Sequence, residues 1–195
     1  ILHEDKYLIV INKTAGFLTK ATNKEKNKTV FAILIEHVQK MNRNNKVHIV
    51  HSLEREMSGV MVFAKSEEIK NALQESWNET ISEAEYVAVV EGKIEKEKDT
   101  ITSFLTESDT SLKVHSSQNP KKGRKAITHF ETQKVKKGMS LLKIKLETGR
   151  KNQIRVHMQD IKQPIVGDKK YGASIDPIAR LGLHLQKLTF KNPVT

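Results

Sequence analysis

The sequence predicts an α+β fold organised around a mixed, mainly antiparallel sheet. Three observations lead there. Segments that alternate apolar and polar residues are numerous, segments with helical periodicity are few and short, and the two kinds do not alternate as a parallel strand–helix array requires.

Taken in order, the apolar run Tyr7 to Ile11 reads as a buried strand that breaks at the turn-rich Asn12-Lys13-Thr14-Ala15-Gly16. From Thr29 to Met41, Val30, Ile33, Leu34, Val38 and Met41 recur with a helical period, and Thr29 suits the N-cap. Val47 to Val50 and Val60 to Ala64 read as strands on either side of a polar loop. Ser66 caps a helix running to about Trp77, with Ile69, Leu73 and Trp77 on one face. Tyr86 to Val90 forms a strand ended by Gly92. Ile101 to Leu105, Ala126 to Val135 and Met139 to Leu146 have the period of half-buried antiparallel strands. Between the first two lies a basic loop, Pro120 to Lys125. Thr148-Gly149 turns the chain into a short helix from Asn152 to Ile161, with Ile154, Met158 and Ile161 inward, and a last strand spans Leu183 to Phe190.

The chain has 195 residues, enough for one well-cored domain or two small lobes sharing a sheet. It contains no cysteine, which excludes a disulfide framework and a zinc–thiolate site and suits a cytoplasmic protein. Its apolar runs are far too short to cross a membrane. Ile1 is not an initiator methionine, so the chain reads as a trimmed segment of something longer.

A net charge of +11 favours a polyanionic partner, nucleic acid before an anionic membrane; the alternative is a plain solvated lysine-rich surface. Arginine is scarce: only Arg43, Arg55, Arg124, Arg150, Arg155 and Arg180 occur. A chain that uses lysine for solubility places arginine where a planar, bidentate donor is wanted.

The loop His51-Ser52-Leu53-Glu54-Arg55-Glu56-Met57-Ser58-Gly59 feeds directly into the strand Val60 to Ala64, so a carboxylate is presented by a rigid element. Glu54 beside Arg55 could equally form a surface ion pair, worth under about 1 kcal/mol. Tyr86 could be strand packing or a stacking ring. His48 and His51 have the spacing of a ligand pair, but no third ligand accompanies them, so no metal is expected. His51 is expected to brace the loop through a backbone hydrogen bond, and His157 and His184 to be structural.

This loop resembles the catalytic loop of RluA-family pseudouridine synthases, which reads His-Arg-Leu-Asp-x-x-Thr-Ser-Gly. Asn12-Lys13-Thr14-Ala15-Gly16, the Tyr86 strand, Thr148 to His157, Pro164-Ile165-Val166-Gly167-Asp168-Lys169-Lys170-Tyr171-Gly172, Arg180 to His184 and Phe190 to Pro193 follow that family's remaining motifs in its order. The resemblance implies a single pseudouridine synthase domain over 1–195, with a bent sheet, flanking helices and a central cleft, and with an RNA-binding domain often found upstream. It implies isomerisation of uridine to pseudouridine in ribosomal or transfer RNA, without cofactor or metal, on a base flipped out of its stack. Glu54 then matches the nucleophilic aspartate, Tyr86 stacks on the base, and Arg155 pairs with the catalytic carboxylate. Arg55, Arg124, Lys125, Arg150 and Lys151 become RNA contacts. Six departures accompany the match, among them Thr14 for proline and Ala84 for a lysine often found two residues before the tyrosine. Glu54 carries one methylene more than aspartate, Ser52 stands where the family has the arginine that displaces the base, Met57 replaces threonine and Asn152 replaces histidine.

Overall fold

A computed structural model describes residues 1–22, 29–75 and 81–194. The chain divides into two compact units, Ile1–Ala84 with Leu185–Thr195, and Glu85–His184.

The first unit holds β1 (His3–Glu4), β2 (Leu8–Lys13), α1 (Val30–Gln39), β3 (His48–Ile49), β4 (Ser58–Ala64), α2 (Glu67–Glu75) and nearly all of β10 (Leu183–Phe190). Its strands lie in the order β1-β2-β4-β10, with β3 also on β4. Strand β4 is buried at six of its seven positions, because strands flank it on both sides; Ser-Gly-Val-Met-Val-Phe-Ala is accordingly almost continuously apolar. Gly59 has φ +137°, and a Cβ there would lie 2.4 Å from the Leu185 carbonyl oxygen, so the β4–β10 approach requires glycine. The Thr29 hydroxyl accepts a bond from the Ala32 amide at 3.1 Å and caps α1, as its sequence predicts. Val30, Leu34 and Val38 form the buried face, whereas Ile33 and Met41 are exposed. The Ser66 hydroxyl accepts from the Ile69 amide and starts α2, which carries Glu67 and Glu68 at its electropositive end. Ile69 and Leu73 of α2 join Leu8, Val50, Val62 and Ala64 in this unit's core. Trp77 lies outside the described residues.

The second unit is an antiparallel sheet in the order β5-β9-β8-β6-β7, formed by β5 (Ile81–Glu91), β6 (Lys98–Glu107), β7 (Val114–Ser117), β8 (Arg124–Lys136) and β9 (Met139–Leu146). Lys137 and Gly138, with φ +51° and +70°, make the two-residue turn between β8 and β9. The expected basic loop is a single 3-10 turn, Pro120–Lys122, running directly into β8. Helix α3 (Gln153–Asp160) packs on this sheet and buries Gln153, Ile154, Arg155, Val156, His157 and Met158. Ile161, expected to face inward, is the half-buried C-cap residue.

Candidate active site

Glu54 sits on the connection between β3 and β4, half-buried, in a turn closed by the Met57 amide on the Glu54 carbonyl at 3.2 Å. Leu53 and Met57 on either side are buried, which anchors the turn and leaves Arg55 and Glu56 exposed. Three further contacts fix its backbone. The Thr19 hydroxyl donates to the Leu53 carbonyl at 3.0 Å, the Gly16 amide to the Arg55 carbonyl at 2.7 Å, and the Val62 amide to His51 Nε2 at 3.1 Å. His51 therefore accepts on Nε2 and braces the loop as its position predicts; burial pushes its pKa down to about 4, so it is neutral.

Sequence reasoning passed over Lys13, whose side chain the fold buries at 1% exposure. Its ammonium donates to the carbonyls of Thr14, Phe17 and Arg55 at 3.1, 2.9 and 3.1 Å. Three N–H groups meet three acceptors, and the turn after β2 is thereby fastened to the turn carrying Glu54. Burial lowers the amine to about 8, with Glu56 opposing that shift and Arg55 adding to it. The signal was the Asn-Lys turn itself, but a lysine in a turn reads as solvent-facing until its acceptors are visible.

The second unit carries Tyr86, Arg155, Arg124, Lys125, Arg150 and Lys151. Tyr86 is half-buried on β5, paired with Ile144 of β9, on the same face as Ala88 and Val90. Arg155 is 5% exposed, within the fold rather than on a solvent face of α3. Its Nε and Nη2 donate to the two oxygens of Asp168, both at 2.7 Å, a side-on bidentate pair with Asp168 fully enclosed. Asp168 lies in the motif Pro164 to Gly172, whose pattern alone assigns it no role. Gly167 before it has φ +75° and stands so close to the Arg180 carbonyl that a Cβ would lie 2.1 Å away. The Tyr171 ring lies 5.1 Å from the Arg155 guanidinium carbon, and the Tyr171 hydroxyl accepts from the Val114 amide and donates to Asn152 Oδ1.

The entry to α3 depends on Gln153. Its amide nitrogen donates to the Ile127 carbonyl and Thr128 hydroxyl, and its oxygen accepts from Thr148 and the Arg150 amide, which uses its full hydrogen-bonding capacity. His157 is held between the hydroxyls of Ser103 and Thr128 at 2.9 and 2.8 Å, and burial lowers it to about 4. Among the candidate RNA contacts, Arg150 Nε donates to the Lys125 carbonyl at 3.1 Å, so these two are neighbours. Lys151 pairs with Glu107, and Arg124, Lys125 and Lys151 are exposed. No group of three metal-ligating side chains occurs among the described residues, and none of their helices is long and apolar enough to cross a membrane.

Comparison with known proteins places this geometry in context. The RNA pseudouridylate synthase family pattern matches residues 7–160. The Bacillus subtilis (strain 168) protein named "Uncharacterized RNA pseudouridine synthase YhcT" is 34% identical over all of this chain, which spans 65% of that protein's length. "tRNA pseudouridine synthase C" of Haemophilus influenzae is 31% identical, again over all of this chain and over 88% of its own length. The solved structure of human "RNA Pseudouridylate Synthase Domain Containing 4" superposes with a TM-score of 0.77 at 22% identity, covering 96% of this chain and 82% of that one. The chain therefore belongs to the RluA family of RNA pseudouridine synthases and has their α+β fold.

Proposed function

We propose that this chain isomerises uridine to pseudouridine in structured RNA, with Glu54 as the carboxylate that works on the flipped nucleoside. The reaction breaks the bond from N1 to C1′, turns the base and forms a bond from C5 to C1′. The C5 proton leaves and N1 takes up a proton, so no electrons are gained or lost and no cofactor is needed. The observation that carries the reading is the fastening of the Glu54 turn by Lys13, Thr19 and His51, which holds a carboxylate on a rigid platform.

In this reading Tyr86 and Arg155 act with Glu54 on the bound nucleoside. Tyr86 stacks on the base and serves as a proton donor. Arg155 uses its Nε and Nη2 on Asp168, which fixes the direction of the guanidinium. Arg55, Arg124, Lys125, Arg150 and Lys151 hold phosphates. The substrate is ribosomal or transfer RNA in the cytoplasm; a relative's name, a tRNA synthase, supports the transfer-RNA half of this expectation.

Mapping pseudouridines in total RNA from cells with and without the gene tests the reading. One site or a small set should disappear and return with the wild-type gene; an unchanged map contradicts it.

A second reading, an RNA-binding member with impaired turnover, comes from glutamate at the position of the family's aspartate. The extra methylene displaces the carboxylate by roughly 1 Å, and errors of that size cost about 100-fold in rate. Glu54→Asp separates the two. A large gain in tritium release from 5-tritiated uridine RNA marks the impaired member, while abundant wild-type release removes that reading.

A further inference from the structure

We infer that the Phe17 ring is a stacking surface for an RNA base next to the target uridine. The inference rests on the isomerase reading above and supplies what Ser52 lacks, since a serine hydroxyl cannot occupy the space a flipped base vacates.

Phe17 is 38% exposed, more than any other Phe, Tyr or Trp among the described residues. Its backbone, by contrast, is pinned on both sides. The Phe17 carbonyl accepts from Lys13 Nζ at 2.9 Å, and Gly16 before it donates to the Arg55 carbonyl at 2.7 Å. After it, the Leu18 and Thr19 carbonyls accept from the Val30 and Phe31 amides at the start of α1. A ring partly offered to solvent from a fixed main chain needs little ordering to bind.

The position is also the right one. The same Lys13 ammonium holds the Phe17 and Arg55 carbonyl oxygens, so these lie no farther apart than the two bonds end to end, about 6 Å. Arg55 is the residue after Glu54. Arg55 and Lys20 are both exposed and lie, respectively, one residue from Glu54 and three residues from Phe17 in the chain, so this part of the unit carries positive charge for flanking phosphates. An aromatic face beside basic side chains is the arrangement that binds unstacked bases without regard to sequence.

Two readouts test the inference, both on total RNA labelled with 5-tritiated uridine from cells lacking the gene. Phe17→Ala and Phe17→Leu should slow tritium release roughly 5- to 30-fold, from the lower part of the range for one lost base stack, while Phe17→Trp stays within about twofold. Thermal melting should stay close to wild type in Phe17→Leu and Phe17→Trp, while Phe17→Ala loses the covered part of the ring and melts lower. In a Phe17→Trp, Trp77→Phe protein, the indole emission should be quenched when this RNA is added and recover in high salt. Full activity in Phe17→Leu, emission indifferent to RNA, or lowered melting in Phe17→Leu would each overturn the assignment. Quenched emission from a protein whose parent releases no tritium would leave the stacking surface standing and remove the isomerase reading instead.

Discussion

The pair Arg155–Asp168 permits the sharpest separation of stability from activity. Its side chains are 5% and 0% exposed and share two bonds of 2.7 Å. Asp168→Asn keeps the volume but leaves a buried guanidinium without its counter-charge, and removing one partner of such a pair costs about 3–5 kcal/mol. For a chain of this size each kcal/mol shifts melting by about 2–4 °C, so a drop of roughly 6–20 °C is expected. Replacing both partners by apolar groups, Arg155→Met with Asp168→Leu, removes the uncompensated charge and should recover most of that loss. The double variant should nevertheless release no tritium, because the guanidinium proposed to act with Glu54 is gone. Circular dichroism melts and tritium release read the two quantities independently. The reasoning is refuted if Asp168→Asn melts within 2 °C of wild type, or if the double variant is as unstable as the single one.

Two further predictions concern protons. Lys13 titrates near 8 in the folded protein against 10.5 ordinarily, so the unfolded chain binds its proton more tightly between those values, and the Lys13 contribution to stability rises with pH across that window. A neutral amine has two N–H groups for three carbonyls, so tritium release should fall above pH 8 while melting does not. Lys13→Met should abolish that alkaline limb and cost about 3 kcal/mol in urea titrations, about 1 kcal/mol for each part-buried carbonyl left without its donor. His157 and His51 each titrate near 4 when folded against 6.5 ordinarily, so the unfolded state binds more protons between these values and stability is lost as pH falls from 6.5 towards 4. The loss is on the order of 3 kcal/mol per ring, and His157→Gln should remove its share of the difference between urea midpoints at pH 7 and pH 4.5.

Local chemistry explains what was legible in the sequence. The Thr29 cap, the Ser66 cap and the strand Met139–Leu146 are written in short-range patterns of hydroxyls and alternating apolar residues, and the fold follows them. The motif order likewise carried the family. Strand β7 escaped notice because Val-His-Ser-Ser holds one apolar residue; it forms because β6 offers it an edge and α3 covers Val114. Ile33 and Met41 match the helical period yet face solvent, since periodicity gives a stripe but not its width. The supports of the site were the least legible. Lys13 and Asp168 are charged residues in turns, and only tertiary contacts reveal that one closes three carbonyls and the other neutralises a buried arginine 13 positions earlier.

The most direct test of the role given to Glu54 compares single-turnover tritium release by the wild-type chain and by Glu54→Gln, an isostere without charge. The account predicts measurable release by wild type and a fall of at least about 10³-fold in Glu54→Gln, with melting and RNA affinity little changed. A Glu54→Gln protein that isomerises uridine at a rate close to wild type would contradict it.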